Sequence, residues 1–188
     1  MRLFIGIPIP LHPGLIRAGA NLEGCHQGVK RVPPQNWHIT LRFFGEMEDA
    51  GPAVSAMKQA VKGVARFSLT VRGVGAFPEA RRARVAWAGV ESETIQFLES
   101  RIGEKTAKLG SPPEQRRFKP HLTLARIQPG CDVTDWVEQY RQKRFFRIMV
   151  NEVVLYRSKP GSEGPVYLPL TVIPLQNRAS PDGRVPGI

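Results

Sequence analysis

Residues 32–42 read VPPQNWHITLR, and residues 112–126 read PPEQRRFKPHLTLAR. Each stretch carries a Pro-Pro pair, a polar or basic run, an aromatic residue, then His, an apolar residue, Thr and Leu, with an Arg close behind. A strand sends alternate side chains to opposite faces. His38 and Thr40 therefore share one face, and Ile39 and Leu41 the other. His121 and Thr123 are set against Leu122 and Leu124 in the same way. The apolar pair of each segment is expected to anchor its strand in a core, and the polar pair to face solvent or a cleft. A single copy reads as an amphipathic strand with a His on its wet side. Two copies among four histidines point to an internal duplication, two related lobes that each offer one such strand.

The flanking sequence fills in the lobes. Strands are predicted over residues 2–7, 37–44, 67–74, 84–90, 120–127, 145–156 and 166–173 from apolar runs and alternation. Helices are predicted over 10–23, from an Asp49 N-cap to about residue 65, over 93–109 and over 133–141, from apolar spacing and from stops such as Gly24 and Gly110. Four helices among seven or more strands predict an α+β fold with largely antiparallel sheets. Residues 1–176 are expected to form one bilobal domain. Residues 177–188, polar with Pro and Gly, are expected to be a flexible tail.

Composition narrows the partners without naming them. The chain of 188 residues carries 27 Lys and Arg against 16 Asp and Glu, a formal charge of +11. Such a field concentrates polyanions, although a solvated basic surface produces the same count. Two distant cysteines, Cys25 and Cys131, are too few for a cysteine-rich zinc site and are expected as free thiols in the reducing cytoplasm. The opening MRLFIGIPIP resembles a signal sequence only superficially. Pro8 and Pro10 interrupt it, no small-residue cleavage site follows, and it reads as a buried first strand. No apolar run approaches a membrane span.

Two histidines can divide proton duties near neutral pH, one accepting and one donating. A hydroxyl two residues from each can hydrogen-bond a non-bridging phosphate oxygen. Mirrored pairs would then grip one phosphate, activate water and protonate a leaving oxygen. A strained cyclic phosphate suits such a site. A metal centre would want three or four ligands at defined spacing, and neither motif supplies a carboxylate or cysteine. No Gly-x-Ser-x-Gly elbow occurs. No metal or cofactor is expected.

Paired His-x-Thr motifs about eighty residues apart, with the flanks HITLRFFGE and FKPHLTLAR and the opening RLFIGIPIP, resemble the 2H phosphoesterase superfamily. The resemblance is to its branch of RNA 2′,3′-cyclic phosphodiesterases, also called bacterial and archaeal 2′-5′ RNA ligases. It extends to about residue 175 and implies two pseudo-symmetric lobes flanking a V-shaped cleft. It further implies metal-independent opening of 2′,3′-cyclic phosphates at RNA ends or on nucleotides, leaving a 2′-phosphomonoester. With an RNA 5′-hydroxyl in place of water, the same chemistry gives 2′-5′ ligation. By this likeness His121 is the proton acceptor and His38 the proton donor. Thr40 and Thr123 hold the phosphate, and Arg126 matches a basic residue after the second motif. The residues alone do not separate acid from base.

Further candidates are weighed by position. Arg42, four residues past His38, is expected on the His38 face as a substrate contact. Arg126, five past His121, points away on a regular strand unless a bulge or the strand end turns it inward. Lys119, with Arg116 and Arg117, is a candidate guide for a phosphate backbone, and Phe118 either stacks on a base or joins the core. Trp37 is expected in the core. Arg81, Arg82 and Arg84 form either a cleft rim or a charged loop. His12 is expected at the surface, and His26 is given no role. A small bilobal chain suggests a monomer. Two other functions fit the residues: a non-catalytic RNA-binding module with the same cleft, and a phosphodiesterase of this fold acting on another cyclic phosphate or on 2′-5′ oligonucleotides.

Overall fold

A computed structural model describes residues 1–25, 28–112, 117–162 and 164–177. His26, Arg116 and nearly all of the expected tail lie outside the described residues. In chain order the elements are β1 (Arg2–Pro8), α1 (Pro13–Cys25), β2 (Val29–Arg31), β3 (His38–Glu46), α2 (Gly51–Val61), β4 (Phe67–Phe77), β5 (Ala83–Glu91), α3 (Glu93–Thr106), β6 (His121–Cys131), α4 (Thr134–Tyr140), β7 (Arg144–Val150), β8 (Glu152–Lys159) and β9 (Val166–Pro174). The fold is α+β.

The strands run β7-β4-β5-β6-β3-β1-β8-β9, with β2 added against β6, and every pairing between named strands is antiparallel. The order divides at its centre. β3, β1, β8 and β9 form one half, and β6, β5, β4 and β7 the other. The two halves meet through the pairing of Ile39 with Leu122, the apolar residues next to the two histidines. Both are fully buried, which stabilises the junction by about 2 kcal/mol per side chain.

Helices cover the apolar face of the sheet. α2 and α3 pack on each other, α3 touches β3, and α2 touches β8 and β9. α1 packs on α4, which touches β4. Their buried faces carry the apolar spacing that predicted them: Leu15 and Leu22 on α1, Met57 and Val61 on α2, Ile95, Leu98 and Ile102 on α3. The Trp136 indole N–H donates to the Ala18 carbonyl at 2.9 Å, tying α4 to α1.

Three local expectations change. The apolar run 145–156 is two strands, broken at Asn151. β7 pairs with β4 at one edge of the sheet, and β8 crosses to β1 in the other half. α1 starts at Pro13, whose missing N–H is tolerated in a first turn. α2 starts at Gly51, and the Asp49 carboxylate accepts the Gly51 N–H at 3.0 Å from one residue before the formal cap, Ala50. The three-residue β2 was not anticipated.

Candidate active site

The pairing of Ile39 with Leu122 sets the geometry of both motifs. In an antiparallel ladder this register puts His38 across from Thr123 and Thr40 across from His121. All four are half-buried, while Ile39, Leu41, Leu122 and Leu124 are buried beneath them. The two polar faces thus form one square of imidazole and hydroxyl groups at the junction of the halves. A cavity of about 370 Å³ opens there, with His38, Thr40, Thr123 and Arg126 among its walls. His121 is not among those walls; it sits beside Thr123 on the same strand face, close enough for its charge to act on His38.

Both strands then slip by one residue at the same place. In β3, Thr40 pairs with Gly6 and Arg42 with Ile5, leaving Leu41 as the extra residue of a bulge. In β6, Thr123 pairs with Trp87 and Ala125 with Ala86, leaving Leu124 extra. A bulge of this kind reverses the facing of everything beyond it. Phe43 and Arg126, the fifth residues after each histidine, therefore emerge on the motif face and line the cavity. Arg126 reaches the site by the bulge route weighed for it.

The same slip overturns the expectation for Arg42. It turns inward, 7% exposed, and contacts no part of the cavity. Its guanidinium donates to the carbonyls of Phe43, Leu109 and Ser111 at 2.9, 3.0 and 2.6 Å, and its Nε to the Thr106 hydroxyl at 3.3 Å. Arg42 is a buried clasp on the segment after α3. Its counterpart in the second motif is Ala125, not Arg126.

The two imidazoles are held alike. His38 Nδ1 lies 2.7 Å from the Asn36 carbonyl, and His121 Nδ1 lies 2.7 Å from the Lys119 carbonyl. A carbonyl only accepts, so each Nδ1 carries the proton and Nε2 is the nitrogen that exchanges one. A short 3₁₀ turn, Pro34–Asn36, presents the first carbonyl.

Their surroundings differ. Around His38, Phe4 lies 4.7 Å between ring centroids, Tyr167 meets the ring edge-on at 5.0 Å, and Tyr156 lies at 6.0 Å. Gly6 makes room: a Cβ there would come within 2.9 Å of the Ile39 carbonyl oxygen and 3.4 Å of the imidazole. Burial pushes the His38 pKa below the ordinary imidazole value, outweighing the Asn36 carbonyl, which raises it; the charge of His121 lowers it further. Burial, with Glu152 nearby, pushes the Tyr156 hydroxyl up. Around His121, Phe77 lies edge-on at 5.0 Å and Trp87 at 6.3 Å. The Lys119 ammonium sits 4.3 Å from the Trp87 ring centroid and 5.6 Å from that of Phe77, so this lysine covers an aromatic pair beside the second histidine.

Among the remaining candidates, Phe118 packs against the core. Trp37 is buried, and its indole N–H donates to the Val32 carbonyl at 3.2 Å. Arg81, Arg82 and Arg84 are exposed and outside the cavity walls. His12 is half-buried, its ring stacked on Phe146 at 4.5 Å. Sequence reasoning did not single out Phe4, Phe43, Tyr156, Tyr167, Trp87, Arg2 or Lys30. Among the described residues no three His, Cys, Asp or Glu side chains gather as metal ligands would. None of their helices is long and apolar enough to cross a membrane.

The sequence model of the 2′-5′ RNA ligase superfamily matches residues 15–161, a span that contains both motifs, both bulges and the central pairing. The chain belongs to the 2′-5′ RNA ligase superfamily. Two relatives, each named RNA 2′,3′-cyclic phosphodiesterase, bear out this membership. The one from Archaeoglobus fulgidus is 35% identical over 92% of this chain and 99% of its own. The one from Aeropyrum pernix is 33% identical over 86% and 93%. A solved structure from Thermus thermophilus superposes with a TM-score of 0.81 at 30% identity, covering 95% of this chain and all of that one. The likeness to that structure extends over both halves of the sheet.

Proposed function

We propose that this chain is an RNA 2′,3′-cyclic phosphodiesterase that opens the terminal cyclic phosphate to a 2′-phosphomonoester without metal. The observation that carries this reading is the pairing of Ile39 with Leu122, which sets the two His-x-Thr faces against each other with His121 close enough for its charge to act on His38. The names of the relatives in Archaeoglobus and Aeropyrum support the same activity.

In this reading the phosphate lies between the two strands and Thr40 and Thr123 donate to its non-bridging oxygens. His121 Nε2 takes a proton from water as the water oxygen bonds to phosphorus. The bond from phosphorus to the 3′-oxygen breaks, and His38 Nε2 gives its proton to that oxygen. Arg126 adds positive charge where the phosphorane charge develops. An RNA 5′-hydroxyl in place of water would yield a 2′-5′ linkage by the same exchange.

His38 is poised for its part by its burial. In the free protein the neutral ring is favoured. An anion within about 4–6 Å favours the charged form, so the substrate itself loads the donor with its proton. Residues 1–176 act as one bilobal unit in this reading, on 3′ ends of RNA or on nucleotides with a cyclic phosphate. The chain works as a monomer, and its two cysteines suit the reducing cytoplasm.

The test is turnover of a nucleoside 2′,3′-cyclic phosphate in excess EDTA. The expected product is the 2′-monophosphate alone. His38→Ala and His121→Ala should each lower kcat by about 10²- to 10⁴-fold, the usual worth of a positioned acid or base, while remaining folded. Full activity in either variant, or salt-sensitive RNA binding with no turnover, would reject the mechanism.

A further inference from the structure

β2 brings Lys30 and Arg31 into a cavity that Arg2 and Arg126 also line, and it sets Lys30 where like charges meet. Lys30 on β2 pairs directly with Arg126 on β6, and both side chains are exposed and line the cavity. Like charges directly opposite on a sheet repel. The cavity walls include no Asp or Glu among the described residues, and no ion pair among those residues involves Lys30 or Arg126. An anion between them relieves the repulsion.

This anion is a second one beside the reacting phosphate, with Arg126 between the two and Lys30 on the far side of it. The reacting group lies over the square formed by His38, Thr40, His121 and Thr123. Lys30 lies beyond Arg126 and reaches toward the turn between β8 and β9: a Cβ on Gly164 would stand 3.8 Å from its Cε and 4.0 Å from its Nζ. The wall formed by Lys30, Arg31, Val32 and Pro33 also borders a second cavity, of about 400 Å³, on the far side of β2. That cavity has Ile16, Val29, Trp37 and Leu124 in its lining together with Lys30 and Arg31, about as much polar as apolar surface. A cation at the divide between a phosphate site and a cavity that offers both apolar side chains and polar surface matches the repeat of a nucleic acid, phosphate then base.

We propose that Lys30 binds the phosphodiester joining the terminal nucleotide to the one before it, and that the base of that upstream nucleotide enters the cavity behind β2. This rests on the reading of the site given above. It makes Lys30 a specificity-determining residue that favours oligonucleotide ends over mononucleotides.

The experiment compares kcat/KM on a nucleoside 2′,3′-cyclic phosphate with kcat/KM on a dinucleotide carrying the same terminal group. Wild-type protein is expected to prefer the dinucleotide by about tenfold, as a charge-assisted contact to phosphate allows. Lys30→Met should abolish that ratio and Lys30→Arg should keep it. Replacing the internal linkage with a neutral methylphosphonate should abolish the ratio in wild-type protein, a readout independent of how any variant folds. A wild-type ratio near one overturns the proposal, as does a ratio unchanged by Lys30→Met or by the neutral linkage. If wild-type protein opens neither substrate, the phosphodiesterase reading fails. If it opens both equally, only the role of Lys30 fails.

Discussion

Each catalytic candidate owes its usefulness to one backbone carbonyl. The Asn36 and Lys119 carbonyls hold a proton on Nδ1 of His38 and His121 and commit Nε2 to proton exchange. The difference between the rings comes from burial, and it has a consequence for pH dependence. His38 in the free protein titrates below its ordinary value of 6.5, so its protonated fraction falls as pH rises through that lowered pKa. With His38 as donor, the alkaline limb of kcat/KM belongs to it and lies below 6.5, while the same limb of kcat lies higher because bound phosphate favours the charged ring. Phe4→Leu thins the cover over His38 and should move its limb upward. Movement of the alkaline limb supports the donor role; movement of the acidic limb instead assigns His38 as acceptor. Arg42 acts on stability. Removing its guanidinium strands the Leu109 and Ser111 carbonyls it now satisfies, and Arg42→Met should cost about 2–4 kcal/mol in denaturant unfolding. A cost below about 0.5 kcal/mol, at the level of ordinary surface substitutions, would show that the clasp contributes little.

At the scale of elements, the paired motifs were legible because strand alternation has a period of two and both copies obey it from His to Leu. The bulges were not legible. Leu41 and Leu124 continue an apolar pattern, and no side chain marks either of them as the extra residue. Hence Arg42 was expected beside His38 and lies buried, while the facing of Arg126 needed the structure to settle it. The aromatic surround of His38 comes from β1, β8 and β9, whose adjacency depends on strand order, and strand order is hidden from local sequence. The break at Asn151 was missed because apolar residues run on both sides of it. Glycines carry part of this element-scale design. A Cβ at Gly75 would overlap the Trp87 ring, the ring beside His121 and beneath Lys119. Gly75→Ala should destabilise the protein by about 1–3 kcal/mol, as overpacking does, and lower kcat by displacing the support of His121. Unchanged thermal stability and kcat would show that β4 and β5 adjust around the added methyl.

At the scale of the molecule, the strand order sets the two motif strands β3 and β6 side by side, and the fifth residues after their histidines differ in chemistry: Phe43 on one, Arg126 on the other. The +11 charge adds capture of polyanions on top of this local asymmetry. KM for an oligonucleotide substrate should therefore rise steeply between about 50 and 200 mM salt, while kcat stays nearly constant. An equal fall in kcat would place the salt effect on the chemistry. In the proposed mechanism one imidazole from each half answers to the same anion, and ¹⁵N NMR of the histidines during titration with a nucleoside 2′-monophosphate reads both rings at once. The expected result is that the Nε2 resonances of both His38 and His121 move with one shared Kd, and that Thr40→Val weakens both responses together. Movement of one ring alone, or two unrelated binding constants, would contradict it.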